Sequence, residues 1–456
     1  MGDTMNSMRE DIERIYRGAI TAVNPQEAIH RHLTLENNTL TAKGGDGNAV
    51  TFNLPDYNRI LVVGAGKATA PMARAVEDIL GNRVSEGAVV VKYGYTDSLA
   101  KVIMMEAAHP VPDEKGLEGA TKIRSMLEEA DENTLVISLI SGGGSALLAL
   151  PAGNISLEEK QKVTSLLLKS GASIHEMNAV RKHISAVKGG NLARAAYPAT
   201  VLNLMISDVV GDNMDVIASG PFVPDSSTYG KALDILDVYS LRDEIPVNVK
   251  EHLESGAAGN IPETPKKDDI VFSRVTNMIA ASNIIALLAA ENEARTMGYN
   301  TIILSSMIEG DTTDAAAWHT AILRESMLSS HPVGAPACII SGGETTVKVT
   351  GGGLGGRNME FALQMAARIH NLEGVMVASV GTDGTDGPTD AAGAVADETT
   401  VQRGAGKDLS ITDCMERNDS YHYFEILGDL VKTGPTNTNV MDVRIMLYRD
   451  NKKIKK

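Results

Sequence analysis

Aromatic residues are scarce in this chain, at 4% of 456 residues with a single tryptophan, which argues against an aromatic-rich β-sandwich. Only two cysteines are present, Cys338 and Cys414, and their separation excludes a disulfide framework and the usual metal-binding spacings. We therefore expect two buried thiols in a reducing cytoplasm. Basic residues are outnumbered 58 to 42 by acidic ones, giving a net charge of −16. Nucleic acid and anionic membrane surfaces attract basic patches, so neither is expected as a partner.

Long apolar runs are also missing. Residues 1–24 are charged and helically patterned, so we predict an amphipathic helix there and no signal peptide. An uncharged stretch, residues 133–157, is interrupted by "SGGGS" and Pro151. We interpret it as a strand, a glycine turn and a short helix, and not as a membrane span. The expected location is the cytoplasm. The sequence does not determine whether the protein forms a homo-oligomer.

Glycine, in contrast, is abundant at 43 residues, and the chain is too long for one compact core. From residue 60 onward, short apolar strands alternate with helical segments, as in βαβ units. The fold class predicted is α/β: two lobes with mostly parallel sheets, the N-terminal one Rossmann-like. We place the domains at 1–254 and 270–456, with a Gly- and Pro-rich linker at 255–269. A cleft between the lobes is the expected place for a site.

The pattern predicts these elements individually. The predicted strands are 60–63, 88–91, 135–140, 201–206, 275–281, 301–304, 337–340, 375–380 and 443–447, and the clearest helices are 113–130, 156–169, 284–297, 313–328 and 358–369. In open parallel sheets, ligands bind beyond the carboxyl ends of the strands. The residues that directly follow each strand are therefore the candidates for chemistry.

The first such segment is "ILVVGAGKATAPMA", which runs from an apolar strand into a glycine turn and a helix. A dinucleotide fingerprint requires a third glycine where Thr69 stands. A P-loop requires glycine at Leu61 and Ser or Thr at Ala68, so it does not fit either. Glycine turns and helix N-termini nevertheless favour anions, and Lys67 adds a positive charge. We predict that Gly64 and Gly66 help to bind an anionic group there.

A second glycine loop, "SGGGSALL", follows the strand at 135–140. Its amides and two hydroxyls could form an anion-binding nest, although a tight turn that only packs helix on strand would have the same sequence. We favour the anion-binding interpretation because two serines flank the glycines and no charge competes. The predicted binding residues are Ser141, Gly142, Gly143, Gly144 and Ser145.

Carboxylates follow three further strands. "SDVVGDNMDVIASGP" carries Asp208, "SGGETTVKV" carries Glu344, and "GTDGTDGPTDAAGA" carries Asp383 and Asp386. Such side chains suit Mg²⁺, which takes one or two carboxylates together with phosphate oxygens, although any single Asp could instead cap a helix or form an Asx turn. We predict Asp383 and Asp386 as metal ligands, Glu344 as a binding residue and Asp208 as a catalytic residue. One of the three aspartates is expected to assist the substrate hydroxyl or the metal, and which of them acts as the base stays open.

Arg357 follows five glycines in "GGGLGGRNMEFALQMA" and precedes a predicted helix. The helix dipole disfavours a cation in that place, so an anionic ligand shared with the backbone amides would explain it. Asn358, next in the motif, is predicted to bind as well. His109, in "AAHPVPD", is interpreted as a structural histidine.

Taken in order, these motifs resemble those of the glycerate 2-kinase family, over roughly residues 19–447. Two further segments belong to the same set of motifs, "NAVRKHISAVKGGNLA" and "TGPTNTNV". In the second of them, Asn437 stands where we expect glycine. The resemblance implies an N-terminal α/β domain, a C-terminal domain of the MOFRL type, and ATP-dependent phosphorylation of D-glycerate to 2-phosphoglycerate with a divalent cation. It also carries the family's functional lysine to Lys67 and its arginine to Arg357. These two are expected to hold glycerate or the transferring phosphoryl group from opposite lobes.

Two other functions stay open. An NAD(P)H-dependent hydroxypyruvate reductase would also place Gly-x-Gly after a strand, but the third glycine is missing and Lys92 replaces the usual acid after the next strand. A non-catalytic sensor of nucleotides or sugar acids would have no need of both Lys67 and Arg357.

Overall fold

The computed structural model describes residues 2–45 and 47–450, except for the side chains of residues 2–5. The chain forms two compact units. The continuous unit is Pro25–Ala280, and the discontinuous unit joins Met1–Asn24 to Ala281–Lys456. In the described part of the chain, no helix is both long and apolar enough to cross a membrane.

The continuous unit contains nine strands and nine of the helices. Its helices are α2 (Pro25–His32), α3 (Thr69–Leu80), α4 (Glu114–Glu128), α5 (Gly144–Leu147), α6 (Leu157–Lys169), α7 (Ile174–His183), α8 (Asn191–Ala196), α9 (Tyr229–Val238) and α10 (Val247–Ala257). Its strands are β1 (Leu33–Glu36), β2 (Thr39–Lys43), β3 (Ala49–Asn53), β4 (Arg59–Ala65), β5 (Glu86–Lys92), β6 (Val102–Ala107), β7 (Thr134–Ile140), β8 (Thr200–Ile206) and β9 (Val275–Ala281).

A six-stranded sheet in the order β6-β5-β4-β7-β8-β9 organises this unit. Its first five strands run parallel, as predicted. Every residue of β7 is buried, as expected for a strand that helices cover on both faces. A capping box begins α6: the Ser156 hydroxyl accepts from the Glu159 amide at 3.2 Å, and the Glu159 carboxylate accepts from the Ser156 amide at 2.8 Å. Strands β1 to β3 form a separate antiparallel sheet.

The discontinuous unit begins with α1 (Gly2–Ala22) and continues after β9. Its other helices are α11 (Asn283–Thr296), α12 (Thr312–Ser329), α13 (Arg357–Ile369), α14 (Thr400–Ala405), α15 (Ile411–Glu416) and α16 (Ser420–Leu427). Its strands are β10 (Asn300–Ile303), β11 (Ala337–Gly343), β12 (Val375–Gly381), β13 (Gly393–Asp397), β14 (Leu430–Val431) and β15 (Asp442–Tyr448), in the sheet order β10-β11-β15-β12-β13-β14.

Strand direction in this second sheet differs from the expected parallel arrangement. Only β10 and β11 pair in parallel, and the four other pairs are antiparallel. The reason is β15, which inserts between β11 and β12 and opposes both. Two α/β lobes are therefore confirmed as the fold class, while the parallel sheet belongs to the continuous unit.

The bounds of the units also differ from the predicted domains. Helix α1 packs on α11, β12 and β15, with Met8, Ile12 and Ile15 buried, and so it joins the discontinuous unit. The predicted linker, 255–269, lies within the continuous unit. There Thr264 is buried and its hydroxyl donates to the Asp225 carboxylate at 2.9 Å.

Candidate active site

The two glycine loops of the continuous unit lie against each other, because β4 and β7 are neighbouring parallel strands. The backbone amide of Lys67 donates to the Gly142 carbonyl at 2.9 Å. The next amide, of Ala68, donates to the Ser141 hydroxyl at 3.0 Å. Both loops thus lie at the carboxyl ends of their strands, where ligands bind in open parallel sheets.

Close backbone packing explains the first two glycines. A Cβ on Gly64 would lie 2.2 Å from the Leu139 carbonyl oxygen, and one on Gly66 would lie 2.0 Å from Ser141 Oγ. Gly66 also has a φ of 145°, which only glycine adopts readily. These glycines allow the turn to approach β7. Their predicted role in binding stays a prediction.

Three polar side chains gather around the second loop. A Cβ on Gly142 would lie 2.2 Å from Asp208 Oδ2, so this carboxylate rests against the loop. A Cβ on Gly143 would lie 3.1 Å from the His109 ring and 3.4 Å from Lys67 Cγ. The structure therefore brings together Lys67 and Asp208, as predicted from their strand-end positions, and adds His109.

The serine hydroxyls of this loop already have protein partners. Ser141 is buried, and its hydroxyl holds the Lys67 turn through the Ala68 amide. Ser145 Oγ lies 2.5 Å from Ser219 Oγ, which in turn donates to Asn178 Oδ1 at 3.0 Å. These contacts hold the loop in its shape and occupy both hydroxyls. The groups best placed to contact a ligand are therefore the side chains of Lys67, His109 and Asp208.

His109, interpreted from the sequence as a structural histidine, also lies at this loop. A histidine before proline is common in structural loops, and the only available signal was its position just after β6, which the prediction had missed. Burial, followed by the nearby charges of Lys67 and Lys92, lowers the pKa of His109 to about 4. The imidazole is therefore neutral at physiological pH and serves as a hydrogen-bonding group.

We expect Lys67→Met to raise the pKa of His109, because removing a nearby positive charge favours the protonated imidazole. Titration of the His109 ring by NMR measures the shift directly. Lys92→Met should produce a smaller rise, and Lys169→Met, at an exposed position on α6, should produce none. An unchanged His109 titration in Lys67→Met would show that the two side chains are not neighbours in solution.

A second cluster, in the discontinuous unit, is centred on Arg357 at the start of α13. Its Nε and Nη2 donate to the two carboxylate oxygens of Asp442 at 2.8 and 3.0 Å, a bidentate pair. Its Nη1 lies 2.7 Å from Glu344 Oε1. Burial would lower the pKa of Arg357, but the charges of Asp442 and Glu344 outweigh it and raise that pKa further. The arginine is thus oriented by protein carboxylates.

Asp442, the first residue of β15, was not predicted. Its carboxylate is 0% exposed and also accepts from Asn358 Nδ2 at 2.8 Å and from Arg444 Nη2 at 3.0 Å. Asn358 is itself buried, with its side-chain oxygen bonded to the Ser379 hydroxyl at 2.6 Å. Asp442 and Asn358 therefore hold Arg357 in place, and Asn358 is less available to a ligand than we predicted.

Asp386 is occupied as a helix cap. Its two oxygens accept from the amides of Asn358 and Met359, in the first turn of α13, at 3.1 and 2.8 Å. Burial raises the pKa of Asp386 to about 7 against these hydrogen bonds. This is the capping alternative noted above for aspartates, and it leaves Asp383 as the better placed of the two predicted metal ligands.

Asp383 and Glu344 share one electrostatic environment. Burial raises the pKa of Glu344, Arg357 opposes this, and the charges of Asp442 and Asp383 add to it. Among residues 2–45 and 47–450, no group of three or more His, Cys, Asp or Glu side chains is arranged to hold a metal ion. A site formed by one or two carboxylates would need further oxygen ligands from water or substrate.

Asn437 shows why glycine was expected in "TGPTNTNV". Its φ is 59°, in the left-handed region that favours glycine and that asparagine tolerates best among the other residues. The turn is therefore preserved by a residue that can adopt the same backbone conformation.

Comparison with known proteins agrees with these motifs. Residues 11–254 match a domain of unknown function (DUF4147), and residues 337–442 match the MOFRL family. The chain is 42% identical to the glycerate 2-kinase of Pyrococcus horikoshii over 96% of its own length and 97% of that protein. A protein of Agrobacterium vitis, provisionally named a hydroxypyruvate reductase, is 40% identical over 97% of this chain and 94% of its own.

The solved structures give the same answer. The crystal structure of the glycerate kinase of Thermotoga maritima superimposes with a TM-score of 0.86 at 38% identity, covering 97% of this chain and 100% of that one. Fold, ordered motifs and relatives agree over nearly the full length, and the chain belongs to the glycerate 2-kinase family.

Proposed function

We propose that this protein is an ATP-dependent kinase that phosphorylates D-glycerate at its 2-hydroxyl group, giving 2-phosphoglycerate and ADP. The names of its relatives support this function. The observation that carries it is the gathering of Lys67, His109 and Asp208 around the glycine loop at residues 142–144. Phosphoryl transfer requires mainly that reactants be positioned and the charge of the moving group be neutralised. A lysine, a neutral imidazole and a carboxylate at one loop can do both.

In the reaction, the 2-hydroxyl oxygen attacks the γ-phosphorus of ATP, and the bond from that phosphorus to the β,γ-bridging oxygen breaks. We assign Lys67 to neutralise charge on the transferring group. Asp208 orients the attacking hydroxyl and accepts its proton. His109, which is neutral, donates or accepts one hydrogen bond without adding charge.

Arg357 is assigned to anion binding through its outer edge. Its inner edge is committed to the buried Asp442, whereas Nη1 contacts Glu344, whose side chain is 44% exposed. A substrate carboxylate or phosphoryl group can replace Glu344 there without disturbing the bond to Asp442. Glu344 then keeps Arg357 paired when no substrate is bound.

Mg²⁺ fits the residues that are present. Asp383 and Glu344 supply hard carboxylate oxygens, and the charge of Asp383 helps to raise the pKa of Glu344. ATP would supply the phosphate oxygens that complete a Mg²⁺ site. We propose that these two residues hold the ion. When bound, it neutralises charge on the phosphates.

Removal of divalent cations should abolish turnover. With excess EDTA, we expect no formation of ADP from ATP and glycerate, and Mg²⁺ or Mn²⁺ added beyond the chelator should restore it. Asp383→Asn should raise the Mg²⁺ concentration needed for half-maximal activity. Asp390→Asn, at an exposed carboxylate paired with Lys432, is the matched control and should not. Full activity in excess chelator would remove the metal from the mechanism.

A coupled assay separates the proposed function from its alternatives. With ATP, Mg²⁺ and D-glycerate, enolase alone should convert the product to phosphoenolpyruvate, because enolase acts on 2-phosphoglycerate. A requirement for phosphoglycerate mutase would place the phosphate on the 3-hydroxyl instead. Oxidation of NADH or NADPH with hydroxypyruvate, without ADP formation, would favour the reductase named for the Agrobacterium vitis relative.

A further inference from the structure

One motif has no role in the mechanism above. The segment "NAVRKHISAVKGG" runs through α7 and beyond it, and with α6 it places three basic side chains near the glycine loop. Lys188 Nζ donates to the Ser145 carbonyl at 2.7 Å, and Arg181 Nη2 approaches the same oxygen at 3.5 Å. Lys160 Nζ donates to the Leu150 carbonyl at 3.2 Å. We call Lys160, Arg181 and Lys188 the basic cluster.

The basic cluster is unusual because it is buried without acidic partners. Lys188 is 0% exposed and Lys160 is 4% exposed, while Arg181 is partly accessible. No carboxylate in the described part of the chain pairs with any of the three. Burial lowers the pKa of each side chain, and the charges of neighbouring members of the cluster lower the pKa values of the two lysines further. Burial lowers the pKa of Lys160 to about 7 and that of Lys188 well below its usual value. Such an arrangement is costly without an anion.

Lys182, on the same helix as Arg181, provides the contrast. It is equally buried at 4% exposure, yet its ammonium lies 3.2 Å from Asp215 and 3.3 Å from Asp225. The fold therefore compensates a structural buried lysine with two carboxylates. The basic cluster receives only carbonyl oxygens, which accept hydrogen bonds but carry no net charge.

We propose that Lys160, Arg181 and Lys188 form a phosphate-binding site in the continuous unit. A bound anion raises the pKa values of Lys160 and Lys188 again and so restores their charges. Once protonated, the cluster matches a group that carries two negative charges better than it matches a single carboxylate. Arg181 meets the incoming group first, being the accessible member, and its fork matches two phosphate oxygens. That this phosphate belongs to ATP or 2-phosphoglycerate rests on the proposed function.

The Ser145 carbonyl connects this site to the catalytic loop. Lys188 and Arg181 both contact that oxygen, and Ser145 is the last residue of the glycine loop. Lys67 and Asp208 lie next to Gly143 and Gly142 of the same loop. An anion in the basic cluster would therefore lie next to Ser145. It can anchor one end of a phosphorylated ligand while the reacting group is held at residues 142–144.

The test compares phosphate binding in three variants by thermal unfolding and calorimetry. Inorganic phosphate, ADP and 2-phosphoglycerate are added separately to the full chain. Lys188→Met and Arg181→Gln should each weaken phosphate binding about ten- to a hundred-fold, because each removes a charged hydrogen bond. Without ligand, Lys188→Met should melt at or above the wild-type temperature, because a buried amine without a charged partner is replaced by an apolar chain of similar length. Lys162→Met, exposed on α6, is the control and should bind normally.

The outcomes are distinguishable. Selective loss of ADP binding would assign the site to the nucleotide, and selective loss of 2-phosphoglycerate binding would assign it to the product. The proposal would be overturned if Lys188→Met melts at a lower temperature than the wild type and phosphate raises both melting temperatures equally. Lys188 would then only stabilise the fold through its hydrogen bond to the Ser145 carbonyl. Normal phosphate binding by Arg181→Gln would overturn it as well. Because inorganic phosphate is itself a probe, these results do not depend on kinase activity, which the coupled assay tests separately.

Discussion

Lys67→Met is expected to lower kcat for phosphoryl transfer by about 10²–10³-fold while leaving the fold intact. The lysine lies at the loop where Asp208 and His109 meet, and its positive charge should matter most when charge develops on the transferring group. Because Lys67 is only partly buried and no ion pair in the described chain involves it, methionine should fit at little cost in stability. Steady-state kinetics and circular dichroism measure the two effects.

Lys92→Met is the matched control for Lys67. Lys67 follows β4 and Lys92 ends β5, and both influence His109. Lys92 lies over the Tyr95 ring, at 5.0 Å from its centre. Its replacement should change kcat by less than about tenfold. Equal losses in the two variants would mean that the general positive potential matters and not a specific contact. A Lys67→Met enzyme with wild-type kcat would exclude the lysine from the reaction.

Arg357→Lys should lower both stability and activity. Lysine keeps the charge but offers no planar fork, so one of the two bonds to buried Asp442 is lost. We expect the free energy of unfolding to fall by about 1–3 kcal/mol in urea denaturation. If the outer edge of Arg357 binds the moving phosphoryl group, kcat should also fall, on the order of 10²-fold.

Two partners of Arg357 separate its structural role from its binding role. Asp442→Asn weakens the same bidentate pair from the other side and should lower stability comparably. Glu344→Gln removes the charge at the outer edge and should leave the bond to Asp442 in place. A rise in KM with kcat intact in Arg357→Lys would mean that the arginine only anchors substrate. Loss of stability with both kinetic constants unchanged would make it a structural residue.

The sequence predicted what depends on short-range pattern. All nine predicted strands exist, and so do the clusters at the ends of β4, β7 and β8, because strand ends in a parallel sheet follow from local alternation and chain order. It could not predict that Asp442 would meet Arg357, since that contact requires β15 to insert between strands distant in sequence. Asp386 shows a different limit, because a carboxylate on a glycine turn has the same local pattern whether it binds a metal or caps a helix.

The position of β15 has a consequence for biosynthesis. This strand lies in the middle of its sheet, and α1, made first, packs against it. During translation, α1 must therefore wait for more than 400 residues before its binding surface is complete, whereas the continuous unit can close as soon as β9 has left the ribosome. A nonsense mutation shortly before Asp442 would leave β11 and β12 without the strand between them, and α1 with only part of its packing surface, in a protein whose parallel sheet is already formed. Such a product would be a substrate for chaperones and proteases, although only a few per cent of the chain is missing.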